Sequence, residues 1–272
     1  MTGLRSAPLR FPLDAEAINR ELGDLASAFD LRVVPECAST NSVLMEAPPA
    51  DNGCTHVLAA ERQTAGRGRR GRQWQSWPGG SLTFSTLWRF APGAPVPAGL
   101  SLVAGLAVVR ALEKLGVSGL QLKWPNDVLI HGAKLAGILV ELLPGRDRTP
   151  AAVVGIGLNL LVPPGALIPD QPAVTDLDSH LALLADRNVI LAGLLGELHA
   201  LFETYAAAGF AALRGAWQQR NAFADLPVRV SGEDSELVGT CVGVDEDGAL
   251  RVRTATGIVR ILSGEVSLRI AS

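Results

Sequence analysis

Glu61-Arg62-Gln63-Thr64-Ala65-Gly66-Arg67-Gly68-Arg69-Arg70-Gly71-Arg72-Gln73-Trp74 packs five arginines and three glycines into fourteen residues and closes on an aromatic. Arginine stays charged and presents planar donors that match carboxylate and phosphate oxygens. Glycine lowers the steric barrier to unusual backbone angles. Such a loop is expected to cover an anion and to be loosely held without one. It leaves one strand pattern, residues 55–61, and enters another, residues 81–90, where Leu82, Phe84, Thr86, Trp88 and Phe90 alternate. The loop is therefore anchored at both ends of a folded domain. Taken alone, it is equally compatible with a solvated surface or an RNA-contacting segment.

The bulk composition narrows this choice. The chain has 272 residues, 48% of them hydrophobic and 19% charged, which supports a buried core and excludes a disordered chain. Its net charge is -3, so the basic loop is local, and a nucleic-acid protein with a broad basic footprint is not expected. Cys37, Cys54 and Cys241 are far apart and show no metal spacing and no disulfide framework. A reducing cytoplasm is the expected location. No apolar leader resembling a signal peptide is seen. The longest apolar-rich stretch, 100–112, is broken by Arg110 and is too short to span a bilayer, so no membrane partner is expected.

Outward from the loop, residues 13–29 read as one helix, with Asp14 favouring its positive end. Residues 31–36 read as a strand, and Ser39 or Thr40 as the cap of a short helix through Met45. Residues 100–115 read as a buried helix stopped by Gly116. Three strands follow at 120–124, 127–131 and 136–143, the last two joined by a turn at Gly132-Ala133. Residues 151–161 form another apolar strand. A proline-rich loop spans 162–180, and helices span 188–219 with Asn188 as candidate cap. After Pro227 five short strands alternate, the last over 266–270, as in a small barrel. The expected units are a helical leader (1–30), a main domain (31–224) and a small β-domain (225–272).

Three further segments carry candidate chemistry. Lys123-Trp124-Pro125-Asn126-Asp127 ends a strand and turns the chain. It reads either as plain turn chemistry or as a sheet rim where Asp127 holds a metal and Asn126 bonds a phosphate or base. Lys134-Leu135-Ala136-Gly137 opens the next strand, and Gly137 allows close backbone approach. Gly155-Ile156-Gly157-Leu158-Asn159 leaves two small gaps where a ligand could lie against backbone. The spacing is not a dinucleotide fingerprint, and no P-loop or serine elbow occurs. His56, His131, His180 and His199 do not cluster in sequence.

Together, Ser39-Thr40-Asn41, the loop from Gln63 to Trp74, Lys123 to Asp127, Lys134 to Gly137 and Gly155 to Asn159 resemble the biotin protein ligase family. The tail Ser263-Gly264-Glu265-Val266-Ser267-Leu268-Arg269 resembles the family's C-terminal barrel. The resemblance implies an α+β fold: a mixed-sheet catalytic domain of the biotin/lipoate ligase type with a small C-terminal SH3-like β-barrel. It implies ATP-dependent formation of biotinyl-5'-AMP, then transfer to a lysine of the biotin carboxyl carrier protein of acetyl-CoA carboxylase. Ser39, Thr40, Asn41 and Gln63 resemble biotin-binding positions. Gly66, Arg67, Gly68 and Arg69 resemble the loop that folds over biotin and the adenylate. Lys134, with Gly137 beside it, resembles the lysine that meets the carboxylate and α-phosphate oxygens, and Lys134, Arg67 and Arg69 are the implied catalytic groups. Arg72, Trp74, Lys123, Asn126, Asp127 and Asn159 resemble ATP-site positions, with Asp127 the implied Mg2+ ligand and Arg269 reaching toward ATP. Trp124, Leu139 and Ile156 are the expected apolar wall. Some family members carry a DNA-binding winged helix; the residues preceding the resemblance are too few for one, so repressor activity is expected to be absent. A homodimer is compatible with the resemblance. Alternatives are a lipoate or octanoate ligase on the same fold, an RNA-binding module, and a biotin sensor without catalysis.

Overall fold

The computed structural model describes residues 12–94, 97–143, 150–166, 168, 173–232, 236–262 and 267–271. Seven strands form one sheet in the order β1 (Phe29–Cys37), β2 (Thr55–Gln63), β3 (Ser81–Arg89), β7 (Ala151–Asn159), β6 (Ala133–Leu143), β5 (Asp127–Ile130), β4 (Leu120–Lys123). β1 and β2 run parallel and are joined by helix α2 (Thr40–Glu46), because parallel neighbours need a crossover. Every other neighbouring pair is antiparallel, so the sheet is mixed as expected.

The central strand β7 explains the layering. All nine of its residues are buried, and successive side chains face opposite sides. Ala152, Val154, Ile156 and Leu158 enter the main core; Ala151 and Val153 enter a second cluster with Leu44, Leu58 and Leu87. By the same alternation, Gly155, Gly157 and Asn159 continue the second face. Helix α3 (Leu100–Lys114) covers the main-core face, α4 (Arg187–Ala208) packs on α3, and α1 (Ala15–Leu22) packs on α4. α4 has 22 residues, and an 18-residue stretch of it has a mean hydropathy of 1.3, long and apolar enough to cross a membrane by composition alone. Ile190, Leu191, Leu194, Leu195 and Leu198 instead lie in the core, which accounts for that composition.

Several local expectations shift. The helix expected over 13–29 is α-helical only through Leu22; Gly23 takes a positive φ of 56° and a 3-10 segment, Gly23–Ala28, replaces the remainder. Asp14 is its cap and accepts from the Ala17 N–H at 2.7 Å. Asp186, not Asn188, caps α4, accepting from the Asn188 N–H at 2.8 Å. The β5–β6 turn lies one residue earlier than expected, at His131 and Gly132, with φ of 49° and 79°. Of the two cap candidates for α2, Ser39 serves.

The five strands after residue 225 form one antiparallel sheet, in the order β11 (Gly257–Ile261), β10 (Leu250–Thr254), β9 (Glu236–Val244), β8 (Pro227–Ser231), β12 (Ser267–Ile270). Residues 263–266, where the last strand was expected to begin, lie outside the described residues. Val228, Val230, Cys241, Val244, Leu250, Val252 and Leu268 belong to the same core cluster as α3 and β7. The Trp124 indole N–H donates to the Gly248 carbonyl at 3.0 Å. The Leu122 N–H donates to the Arg220 carbonyl at 2.7 Å, and Ala222 returns a bond to Leu122 at 2.9 Å. α5 (Arg214–Gln218) lies in the connection between the two sheets.

Candidate active site

Strand register assembles a floor from residues far apart in sequence. Thr83 pairs with Gly157, Gly157 with Gly137, Gly137 with Asp127, and Asp127 with Lys123. A parallel row sets Ser85 beside Gly155 and Gly155 beside Leu139. The two glycine gaps of β7 are filled by the chain itself. A Cβ on Gly155 would lie 2.1 Å from Asn41 Oδ1, and one on Gly157 2.3 Å from the Trp74 ring. The expectation that a ligand lies directly on this backbone is thus replaced: an amide and an indole occupy those positions.

Over this floor opens a cavity of about 750 Å³, lined by every expected site residue except Gly66. One end is neutral and polar. Thr40 donates its N–H to Gln63 Oε1 at 2.7 Å, and its hydroxyl lies 2.6 Å from Ser85 Oγ. Ser85 donates to Asn41 Oδ1 at 2.6 Å. Helix α2 starts here because Ser39 caps it, and Ser39, Thr40 and Asn41 are all buried. Of the expected apolar wall, Leu139 shares the cavity face with Gly155. Trp124 and Ile156 border the cavity, but their side chains belong to the main core.

The arginine loop forms a hairpin. Arg67 and Gln73 bridge across it, Trp74 N–H donates to the Gly66 carbonyl at 2.9 Å, and Gly68 N–H to the Arg72 carbonyl at 2.7 Å. Side chains fasten it to the sheet. Arg67 reaches Glu141 at 2.5 Å and Ser42 at 3.1 Å, and Arg69 donates to Asn126 Oδ1 at 3.3 Å.

The other end is cationic. Lys134 Nζ sits 2.7 Å from Asp127 Oδ1, and Lys123 Nζ 3.8 Å from Asp127 Oδ2. Arg72 and Arg269 border the same space, the latter from β12. Burial lowers the Lys123 pKa below the ordinary lysine value; Asp127 opposes this, while Lys134, Arg269 and Arg72 add to it. Asn159 donates its amide to the Lys134 carbonyl at 3.4 Å and the Thr175 carbonyl at 3.1 Å, so it braces the backbone beneath Lys134. The Lys134 N–H donates to the Ala173 carbonyl at 3.0 Å, tying the proline-rich loop to the site. Two lysines at one carboxylate, with two arginines bordering the same space, suit a polyanion, and the polar end suits a neutral group with both donors and acceptors.

Comparison with known proteins identifies the family to which this layout belongs. Residues 38–159 match the biotin/lipoate A/B protein ligase family, and residues 227–269 match the biotin protein ligase C-terminal domain. A biotin–[acetyl-CoA-carboxylase] ligase of Mycobacterium tuberculosis is 36% identical over 269 residues, covering 95% of this chain and 96% of that protein.

The chain belongs to the biotin protein ligase family.

A second biotin–[acetyl-CoA-carboxylase] ligase, from Paracoccus denitrificans, is 37% identical and covers 84% of this chain and 96% of that protein. The bifunctional ligase/repressor BirA of Escherichia coli is 36% identical, with 88% of this chain and 74% of that protein covered. The biotin protein ligase of Aquifex aeolicus, solved with biotin and ATP, superposes with a TM-score of 0.77 at 33% identity, covering 89% of this chain and 99% of that one.

Sequence reasoning missed Ser85, Glu141 and Phe223. Glu141 follows Gly137 and Leu139 at the two-residue strand period, a signal that was available in the sequence. Phe223, whose ring lies 5.9 Å from Lys123 Nζ, carried none. No group of three or more His, Cys, Asp or Glu side chains suited to a metal occurs among the described residues. Asp127 supplies a single carboxylate, which fits magnesium held mainly by phosphate oxygens and water.

Proposed function

We propose that the chain is a biotin–[carrier protein] ligase. The observation that carries this reading is one cavity joining a neutral hydrogen-bonding end to a cluster of four cations. The polar end, at Ser39, Thr40 and Gln63, takes the ureido group. The cationic end takes the carboxylate and the triphosphate. In the first step a biotin carboxylate oxygen bonds to the α-phosphorus of ATP, and the bond to pyrophosphate breaks. In the second, the ε-amine of a carrier lysine attacks the acyl carbon; an amide forms and AMP leaves. The first step brings two anions together, and Lys134 with the lid arginines Arg67 and Arg69 offsets their repulsion. Positioning and charge suffice, so no enzyme nucleophile is required. Magnesium, held through Asp127, would supply further neutralisation of the phosphates. A closed hairpin keeps water from the mixed anhydride until the carrier docks.

We further propose a carrier domain of acetyl-CoA carboxylase as the acceptor, and a cytoplasmic site of action without nucleic acid or membrane. The names of the Paracoccus and Mycobacterium relatives support the acceptor. Pyrophosphate release from ATP should require biotin, with lipoate and octanoate inactive. Release with lipoate but not biotin overturns the reading.

One pH dependence follows. Lys123 binds phosphate only when protonated, and burial lowers its pKa from the ordinary value of 10.5. The KM for ATP is therefore expected to climb with rising pH before an ordinary lysine would deprotonate. Lys123→Arg should move that climb to higher pH, because arginine remains charged. Identical profiles would remove Lys123 from phosphate binding.

A further inference from the structure

We infer that Glu141 is a positioning residue that latches the lid and, with the Leu139 carbonyl, sets the direction of the hydrogen bonds facing the ureido group. The inference rests on the ligase reading and adds a residue to it. Glu141 projects from β6, its side chain 20% exposed. Its two oxygens serve two different parts of the site. Oε1 accepts from Arg67 Nη2 of the hairpin at 2.5 Å, and Oε2 accepts from Asn41 Nδ2 of α2 at 2.9 Å. Arg67 spends its other terminal nitrogen on Ser42 Oγ, so the guanidinium is held between β6 and α2.

The carboxylate also fixes polarity, together with the Leu139 carbonyl, which accepts from the same Asn41 Nδ2 at 3.2 Å. An ionised carboxylate only accepts, so Asn41 must present its NH2 to Glu141. The Asn41 oxygen then faces Ser85, which must donate to it, at 2.6 Å. Ser85 has no second proton, so Thr40 donates to Ser85 across 2.6 Å, in preference to Gln63 Oε1 at 3.2 Å. Gln63 Oε1 is already satisfied by the Thr40 N–H. The chain Arg67–Glu141–Asn41–Ser85–Thr40 thus runs in one sense. It leaves lone pairs on Thr40 Oγ1 and the NH2 of Gln63 for a ligand. A ureido group, an acceptor oxygen flanked by N–H donors, is complementary to that pair. A neutral residue at 141 removes the charged acceptor and leaves the Leu139 carbonyl to hold the Asn41 amide, so the order is kept less firmly.

The experiment compares the full chain with Glu141→Gln, a near-isosteric change, and with Glu36→Gln as control. Glu36 forms an exposed pair with Arg62 away from the cavity. Thermal midpoints verify folding. Glu141→Gln is expected to raise the KM for biotin about tenfold, the worth of one charge-assisted hydrogen bond, with kcat changed less than about twofold. It should also loosen retention of the adenylate, raising the ratio of pyrophosphate released to carrier lysine biotinylated about threefold. Glu36→Gln should do neither. The same leak in Arg67→Gln should not grow when Glu141→Gln is added, because the two residues act as one contact. A wild-type biotin KM and wild-type ratio in Glu141→Gln, or leaks that multiply in the double variant, overturn the inference. Should Glu141→Gln fail to fold, Glu141→Asp decides, since the shorter carboxylate keeps its charge but loses reach: a raised ratio supports the latch and an unchanged one rejects it. A wild-type chain without biotin-dependent pyrophosphate release defeats the ligase reading itself, whereas an active wild type with an indifferent Glu141 variant defeats only the latch.

Discussion

Lys134→Met should slow pyrophosphate release about a thousandfold while weakening biotin binding less than about tenfold. The reasoning is electrostatic. At an effective dielectric near 20, two unit charges about 4 Å apart interact by about 4 kcal/mol, equivalent to roughly three decades in rate. The ammonium lies on the floor row beside Gly137 and is 15% exposed, so solvent screens it incompletely. Biotin is held largely by the polar end, which the substitution does not touch. The repulsion that Lys134 offsets is greatest as the carboxylate closes on the α-phosphate, so the loss falls on the chemical step. Single-turnover release with biotin binding measured separately makes the comparison. A rate within threefold of wild type would remove Lys134 from the proposed role.

Arg187→Met should destabilise the fold by about 3–5 kcal/mol, the usual consequence of removing one partner of a buried ion pair. Arg187 is 2% exposed, lies 2.6 Å from Glu61 Oε2, and donates to the Ser81 carbonyl at 3.1 Å. The other oxygen of Glu61 accepts the Leu13 N–H at 2.5 Å. The substitution therefore strands a carboxylate at the start of α1, the beginning of α4 and the end of β2 together. Urea unfolding tests this, and a loss under 1 kcal/mol would show that Glu61 is relieved by water instead. The pair also stands two residues before Gln63, so a surviving variant should bind biotin more weakly.

Much of the catalytic face could be read from residue order, because motif and element coincide there. Ser39 announces its helix by capping chemistry, and the hydrophobic alternation of 81–90 places β3. Cross-strand neighbours were beyond reach. The glycines of β7 advertise space, but only the register with β3 and β6 reveals that Asn41 and Trp74 fill it. Glu141 looks like one more charged residue until its partners, 74 and 100 residues away, are brought together. The composition of the arginine loop reports charge and conformational freedom, but not the cross-hairpin bonds of Gly66 with Trp74 and of Gly68 with Arg72. Asn188 was mistaken for a cap because both it and Asp186 are capping residues, and only backbone geometry separates them. The long helix 13–29 failed at Gly23, where a positive φ outweighed an otherwise favourable apolar period.

The indole of Trp124 bonded to Gly248, and the apolar cluster continuous from α3 into β8, β9 and β10, have a practical meaning. Cutting the gene near codon 225 would not yield two self-sufficient modules. Each fragment would bare an oily wall shaped for its missing half, and Arg269 would leave with the shorter one. The pair is better regarded as a split reporter in waiting: silent apart, and regaining adenylate synthesis only when something else brings the pieces together.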